Sequence, residues 1–210
     1  MVDVFDQNAA TSAADAEKLI PRAEFRVFGQ NILDIVTTSM WKAQAKLFKI
    51  RTSSETYIVS RLTNEANVKV RDGLLDIKTK VNETEEGYEV FQPMGKFQFP
   101  VNREEINKIF KNLLVSVTLD QETYTLEQFI EMVNDHADLA AVDVQKERYG
   151  FSVDGMICEY GKVLFNGALL ETACVESEDY QGMKKAIKAL EIDALENINY
   201  LKAAKNVLKM

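Results

Sequence analysis

The segment 67–81, NVKVRDGLLDIKTKV, constrains the fold most, because its residues alternate in character around a strong turn signal. Asp72-Gly73 favours a two-residue type I′ turn, in which both central residues adopt a positive φ. The turn predicts a hairpin with the pairs Arg71–Leu74, Lys69–Asp76 and Asn67–Lys78. Paired residues share a face and neighbours along a strand alternate, so the hairpin has one cationic and one apolar face. The cationic face carries Lys69, Arg71, Asp76, Lys78 and Lys80, with Leu74 at its end, and the apolar face carries Val68, Val70, Leu75, Ile77 and Val81.

The cationic face of this hairpin has two interpretations. It either faces water, as one side of an antiparallel sheet commonly does, or lines a concave surface that holds a polyanion. The formal net charge of the 210-residue chain is -8, which disfavours general nucleic-acid binding. A local cationic pocket stays compatible with that charge, because electric fields are set by nearby groups.

The rest of the chain predicts two blocks of strands, with helices between them and after them. Strands are expected over 22–29, about 56–62, 87–101, 116–120, 141–151, 156–166 and 168–179. Helices are expected over 30–41, 102–113, 125–136, 181–192 and 197–210. This order indicates an α+β fold with a largely antiparallel sheet. A Walker sequence and a glycine-rich strand-to-helix loop are both missing, which disfavours P-loop and Rossmann folds.

Charged residues occupy alternate positions on several of these strands. Lys146 and Arg148 share a face of one strand, and Glu24 and Arg26 share a face of another. Glu176 and Glu178 do so near the end of the chain, although an E-x-E or K-x-R pair alone is also common on solvated strands. A charged face opposite an apolar face on many strands suits a closed barrel with a charged lumen and amphipathic helices packed outside.

With these residues in order, the sequence resembles the CYTH-like, or triphosphate tunnel metalloenzyme, superfamily from about residue 22 to the C-terminus. The resemblance rests on an opening acidic strand, a K-x-R strand, a strand with a central lysine, a second K-x-R strand, an acidic strand and a final E-x-E strand. The matching residues are Glu24, Lys69 and Arg71, Lys78, Lys146 and Arg148, Glu159, and Glu176 and Glu178. The resemblance implies a closed antiparallel β-barrel, a tunnel of about eight strands.

The resemblance also implies a function and a site. A triphosphate, polyphosphate or nucleoside triphosphate would lie in the tunnel and be hydrolysed with the help of Mg²⁺ or Mn²⁺. The implied phosphate-binding residues are Arg26, Lys69, Arg71, Lys78, Lys146 and Arg148. The implied metal ligands are Glu24, Glu159, Glu176 and Glu178. The implied catalytic residues are Glu24, Glu176 and Glu178.

The opening motif departs from the pattern of the superfamily. Its E-x-E-x-K signature is replaced here by Glu24-Phe25-Arg26-Val27-Phe28, so an arginine replaces a metal-binding carboxylate and a phenylalanine replaces the lysine associated with catalysis. Whether the chain is an enzyme is therefore left open. It is a metal-dependent triphosphatase, a module that binds polyphosphate or nucleotide without cleaving it, or a protein with adenylyl cyclase-type activity.

The remaining features predict ordinary structural roles. Residues 1–20 are expected to form a flexible tail that is not a secretory signal, and 21–210 a single tunnel domain that includes the C-terminal helices. Cytoplasmic location is expected from two unpaired cysteines, with no membrane or nucleic-acid partner. His136 is expected at a helix terminus and not in catalysis. Cys158 and Cys174 are expected to pack in the interior, and Lys80, Lys202, Lys205 and Lys209 to be solvated.

Overall fold

The computed structural model describes residues 22–210, and the predicted tail lies outside the described residues. Its strands are β1 (Ala23–Gly29), β2 (Lys46–Ser60), β3 (Thr63–Arg71), β4 (Leu74–Glu83), β5 (Glu89–Gln98), β6 (Val101–Asn102), β7 (Thr123–Tyr124), β8 (Leu139–Val153), β9 (Met156–Phe165) and β10 (Ala168–Ser177). Its helices are α1 (Ile32–Lys42), α2 (Arg103–Asn112), α3 (Leu126–Asp135), α4 (Tyr180–Ala189) and α5 (Tyr200–Leu208).

Eight of the strands form one antiparallel sheet that closes into a ring. The order around the ring is β1-β10-β9-β8-β2-β3-β4-β5, and β5 returns to β1. The closing contact is short, because β1 pairs with β5 only at Ala23 and Glu24. The predicted α+β class and closed antiparallel arrangement are thus both found in the described residues.

The hairpin predicted from the sequence is confirmed in its register. Arg71 pairs with Leu74, and Lys69 pairs with Asp76. Asp72 and Gly73 have φ values of 53° and 72°, as a type I′ turn requires. The apolar residues Val68, Val70, Leu75 and Ile77 are buried against α2 and α3, so the cationic face points into the ring. Val81, predicted on the same apolar face, is exposed instead, because the pairing of β4 with β5 is irregular there. This orientation follows from the period-two alternation, since burial of one face fixes the direction of the other.

Four helices cover the outside of the ring. The apolar sides of α1 and α4 pack on the outward residues of β1 and β10, and those of α2 and α3 pack on β2, β3 and β4. The predicted caps are present: the Asn102 side chain accepts from the Glu105 N–H at 2.9 Å, and Thr125 forms a capping box with Gln128. The packing of these four helices on the strands removes the apolar stripe of each helix from water.

The fifth helix lies elsewhere, and the prediction that all helices pack outside the ring is wrong for it. Tyr200 and Leu201 of α5 pack with Tyr57, Val142 and Phe165, whose side chains point inward. This helix therefore closes one end of the ring with apolar contacts. The residues before it fill the gap beside β1, where the Ile198 N–H donates to the Arg26 carbonyl oxygen at 2.7 Å.

Two strand predictions also need correction. β2 begins at Lys46, ten residues before the predicted start near 56, and residues 116–120 form no strand. Pro93 lies at an irregularity in the pairing of β4 with β5, as expected for a residue without a backbone donor. None of the helices within 22–210 combines the length and the apolar character needed to cross a membrane.

Candidate functional site

The half of the ring that α5 leaves open contains a cavity of about 380 Å³, within the usual range for small-molecule sites. Nine cationic side chains line it: Arg22, Arg26, Lys49, Arg51, Lys69, Arg71, Lys78, Lys146 and Arg148. Four carboxylates line it as well: Glu24, Glu89, Glu159 and Glu176. In a chain of net negative charge, the cations are thus concentrated in the lumen.

One cluster in this lumen has a carboxylate at its centre. The Glu55 side chain is 0% exposed and accepts from Lys146 Nζ at 2.9 Å and Lys69 Nζ at 3.1 Å, with Arg71 Nη1 at 3.7 Å. Burial alone would raise the pKa of Glu55, but the two ammonium groups lower it to about 2. Glu55 therefore stays ionised and holds three predicted phosphate-binding residues in place. We call these four residues the Glu55 cluster.

Lys146 is the most deeply buried cation of this cluster. Its Nζ also donates to the Tyr57 hydroxyl at 2.9 Å and lies 4.1 Å from the centre of the Tyr200 ring. Burial lowers the pKa of Lys146 to about 7, although the Glu55 carboxylate opposes this shift. The pKa of Lys69 is also lowered by burial, against the same carboxylate.

A second cluster has a guanidinium at its centre. Arg26 Nε lies 2.8 Å from Glu24 Oε1, and Arg26 Nη2 lies 3.1 Å from Glu24 Oε2, a bidentate pair. Arg26 Nη1 lies 3.5 Å from Glu159 Oε1 and 3.3 Å from the Thr172 hydroxyl. Burial would raise the pKa of Glu24, but the charge of Arg26 lowers it. We call Arg26, Glu24, Glu159 and Thr172 the Arg26 cluster.

Of the remaining predicted metal ligands, Glu176 lies near this cluster and Glu178 does not line the cavity. Glu176 is directly opposite Glu24 in the pairing of β1 with β10, and burial together with the Glu24 charge raises its pKa. Glu178 follows the end of β10, is exposed, and lies 3.9 Å from Arg22.

The carboxylates present do not fit a divalent-metal site. Both Glu24 oxygens already face the Arg26 guanidinium, and the oxygens of Glu159 face Arg26 and Arg148. Over residues 22–210, no three His, Cys, Asp or Glu side chains are grouped so that they could hold a metal ion. A dication would have to share these oxygens with a fixed positive charge.

Towards the open mouth, several donors have no protein partner. Lys49, Arg51 and Lys78 form no ion pair with any carboxylate in the described part of the chain. Deeper in the lumen, the Arg148 Nε–H is buried and donates to no acceptor within 22–210. Buried polar groups without a partner are rare, and they are often explained by water, an ion or a ligand.

The structure therefore brings most of the predicted site residues together. Those that line the cavity are Glu24, Arg26, Lys69, Arg71, Lys78, Lys146, Arg148, Glu159 and Glu176. Five further residues of the lumen were not among the predicted ones: Lys49, Arg51, Glu55, Tyr57 and Tyr200. The first four alternate along KIRTSSETY, residues 49–57, with the same period that identified the hairpin, so this signal was present.

The predictions for the isolated residues have mixed outcomes. His136 lies at the C-terminus of α3, and both cysteines are buried, as expected. Lys80 is not solvated, because it pairs with Glu83 and Glu89. Lys205 donates to the carbonyl oxygens of Ser60 and Thr63 and is partly buried. Lys202, which is 43% exposed and pairs with Glu196 at the surface, and Lys209 are solvated as expected.

No protein-family model and no curated protein matches the sequence. Among solved structures, a candidate adenylyl cyclase from Hippeastrum, described with a dominant triphosphatase activity, has a TM-score of 0.48 and 9% identity, over 89% of this chain and 95% of that one.

Two further structures have the same kind of similarity. The PH1012 protein of Pyrococcus horikoshii has a TM-score of 0.46 and 16% identity, over 86% of this chain and 97% of that one. A candidate adenylate cyclase from Bacillus halodurans has a TM-score of 0.46 and 8% identity, over 87% and 96%. The chemistry of the lumen, and not these similarities, supports the function proposed below.

Proposed function

We propose that the charged lumen binds the triphosphate or polyphosphate group of a small molecule, such as inorganic triphosphate, polyphosphate or a nucleoside triphosphate. The observation that supports this most is the excess of cations over carboxylates around one cavity of a negatively charged chain. A cleft lined by one sign of charge attracts the opposite charge more strongly than an open surface does.

The arrangement of the cations suits a ligand with several phosphates in a row. Within 22–210, Lys49, Arg51 and Lys78 near the mouth have no carboxylate partner, so an anion meets them without displacing an acidic group of this part of the chain. Further inside, Arg148 offers a buried Nε–H that donates to no acceptor among the described residues. Charge-assisted hydrogen bonds from such fixed donors are among the strongest available to phosphate oxygens.

The Glu55 cluster extends the same site inward. Glu55 offsets part of the repulsion between Lys69, Arg71 and Lys146, and so allows three cations to be held close together before a ligand arrives. Cations that are already fixed need little reorganisation on binding, which favours affinity. A terminal phosphate would share these cations with Glu55.

Hydrolysis with Mg²⁺ or Mn²⁺ is the second candidate function. The observation in its favour is the direct opposition of Glu24 and Glu176 on neighbouring strands. The occupation of both Glu24 oxygens by Arg26 opposes it, so binding without cleavage is the function that we favour. Adenylyl cyclase-type activity and a cytoplasmic location stay predictions from the sequence.

Titration calorimetry with tripolyphosphate tests the proposal, together with the thermal unfolding temperature. We expect saturable binding and a rise in unfolding temperature, because a ligand of the native state stabilises it. Arg148→Ala should weaken binding by about tenfold or more, as expected for loss of a charged hydrogen bond. Lys162→Ala is the matched control, since Lys162 is an exposed cation on the outer face of β9.

Absence of binding, or equal loss of affinity in Arg148→Ala and Lys162→Ala, would reject the lumen as the site. Release of phosphate from tripolyphosphate or ATP with Mg²⁺ or Mn²⁺ separates the two candidates. Turnover that Glu24→Gln and Glu176→Gln abolish would favour the hydrolase, whereas binding without turnover supports the module.

A further inference from the structure

The Arg26 side chain is surrounded by protein groups that contact its guanidinium. Besides Glu24 and Glu159, its guanidinium contacts the Thr172 hydroxyl and the Cys174 sulfur, the latter at 3.0 Å, and its Cζ lies 4.8 Å from the centre of the Tyr200 ring. The side chain is 6% exposed. Each donor direction of the guanidinium plane is therefore used by the protein itself.

The backbone of the same residue is also fixed on both sides. The Arg26 N–H donates to Asn197 Oδ1 at 2.9 Å, and the Arg26 carbonyl oxygen accepts from the Ile198 N–H at 2.7 Å. These bonds tie the start of the ring to the segment that leads into α5. The backbone position from which the guanidinium extends is therefore fixed as well.

The positive charge at this position has carboxylate neighbours on more than one strand. It lies between carboxylates of two strands, Glu24 on β1 and Glu159 on β9, with Glu176 of β10 directly opposite Glu24. Hard cations such as Mg²⁺ are held by carboxylate oxygens of this kind. Here a guanidinium, which is permanently charged and planar, is paired with those oxygens.

We infer that the guanidinium of Arg26 takes the place of a divalent metal as the central cation of the acidic side of the lumen. Glu24 and Glu159 then serve to position Arg26, and no metal ion is needed to neutralise them. For the proposed function this means that a polyphosphate group binds through lysine and arginine side chains alone, without a metal bridge. That consequence rests on the proposed function, whereas the assignment of Arg26 does not.

Titration of Mn²⁺ with the full chain, followed by the electron paramagnetic resonance signal of free Mn²⁺, tests the assignment without any phosphate ligand. We expect the wild-type protein to leave the free signal unchanged. Binding of Mn²⁺ to the wild type that Glu24→Gln abolishes would overturn the inference, because it would place a metal on the oxygens that Arg26 is said to occupy.

Two substitutions of Arg26 sharpen this test. Arg26→Gln removes the charge, so Glu24 and Glu159 become free to hold a cation and Mn²⁺ binding should appear. Arg26→Lys keeps a positive charge between them and should not bind Mn²⁺. A folded Arg26→Gln variant, checked by circular dichroism, that binds no Mn²⁺ would contradict the assignment. If the variants fail to fold, the wild-type titration still decides it.

The consequence for ligand binding is tested by calorimetry with tripolyphosphate in excess EDTA and in excess Mg²⁺. The dissociation constant in EDTA should be no higher than that in Mg²⁺. A dissociation constant about tenfold higher in EDTA, equivalent to roughly 1.4 kcal/mol, would show that a metal bridge is required. Failure of tripolyphosphate to bind under both conditions would instead reject the proposed function, and the Mn²⁺ titrations would still report on Arg26.

Discussion

The two clusters in the lumen have opposite arrangements of charge. In the Glu55 cluster a carboxylate lies among three cations, whereas in the Arg26 cluster a guanidinium lies between carboxylates. The first therefore keeps an excess of positive charge that attracts an anion, and the second has its central cation built into the chain. The two clusters therefore show that the same types of charged residue have different roles, depending on whether the central charge is negative or positive.

The Tyr200 ring lies between these two clusters. Its centre is 4.8 Å from Arg26 Cζ and 4.1 Å from Lys146 Nζ. Because Tyr200 begins α5, the helix that closes the ring also contacts the central cation of one cluster and the deepest cation of the other. Tyr200 thus belongs to the helix that closes the apolar end of the ring and also contacts both charged clusters of the lumen.

The largest effect is expected from breaking the Glu55 cluster. Glu55→Gln leaves Lys146 buried beside Lys69 with no carboxylate between them, and should reduce the free energy of unfolding by about 3–5 kcal/mol. Urea denaturation measures this loss. Glu65→Gln on the exposed part of β3 is the control and should change little. Equal stability of the two variants would mean that Glu55 does not hold the cations together.

The next effect concerns acid stability. The pKa of Glu55 is about 2 in the folded protein, below an unfolded value of about 4.3, so its ionised form stabilises the fold above that range. This contribution, about 3 kcal/mol, should be lost as the pH falls from about 4.3 through about 2. Unfolding curves of the wild type and of Glu55→Gln should converge over that interval. A difference that stays constant with pH would contradict the ionised assignment.

A smaller effect is expected when a cation without an ion-pair partner in the described residues is compared with one that pairs with Glu55. Lys78→Ala should raise the dissociation constant for tripolyphosphate by about tenfold, while the free energy of unfolding changes by no more than about 0.5 kcal/mol. Lys69→Ala, which removes a partner of Glu55, should weaken both binding and stability. Calorimetry and urea denaturation on the two variants give the comparison. Loss of stability in Lys78→Ala would show that it too is a structural cation.

The smallest effect is expected at Tyr200. Its hydroxyl is buried without a protein partner within 22–210, so Tyr200→Phe should change the free energy of unfolding by less than about 0.5 kcal/mol. Tyr200→Leu removes the ring from both cations and should cost about 1–2 kcal/mol. Thermal and urea unfolding of both variants test whether the ring, and not the hydroxyl, joins the two clusters. Equal losses in the two variants would contradict this.

Much of the fold could be predicted from alternation along the strands. The Asp72-Gly73 turn determined the hairpin register, and burial of its apolar face then directed Lys69 and Arg71 inward. The position of α5 could not be predicted in this way. The apolar stripe of α5 would look the same in the sequence whether the helix packs outside the ring or closes its end. The position of α5 depends on inward-pointing apolar residues of strands that are distant in sequence.

The sequence predicted which residues form the candidate site better than it predicted which charged side chains pair with each other. Alternation indicated which side chains face the lumen, but the partners of each charge depend on the order of strands around the ring. Glu55 is not among the predicted residues because the strand expected from the sequence begins near 56, whereas β2 begins at Lys46 and residues 49–57 alternate in the same manner. Protein groups surround Arg26 because of the register of β1 with β10. That register could not be predicted from the sequence.

A crystal structure of the protein with tripolyphosphate and EDTA tests the central claim most directly. We expect phosphate oxygens within hydrogen-bond distance of Arg148 and Lys78 in the lumen, with Arg26 still paired with Glu24. Tripolyphosphate bound only on the outer surface of the ring, or displacement of Arg26 from Glu24 by the ligand, would contradict it.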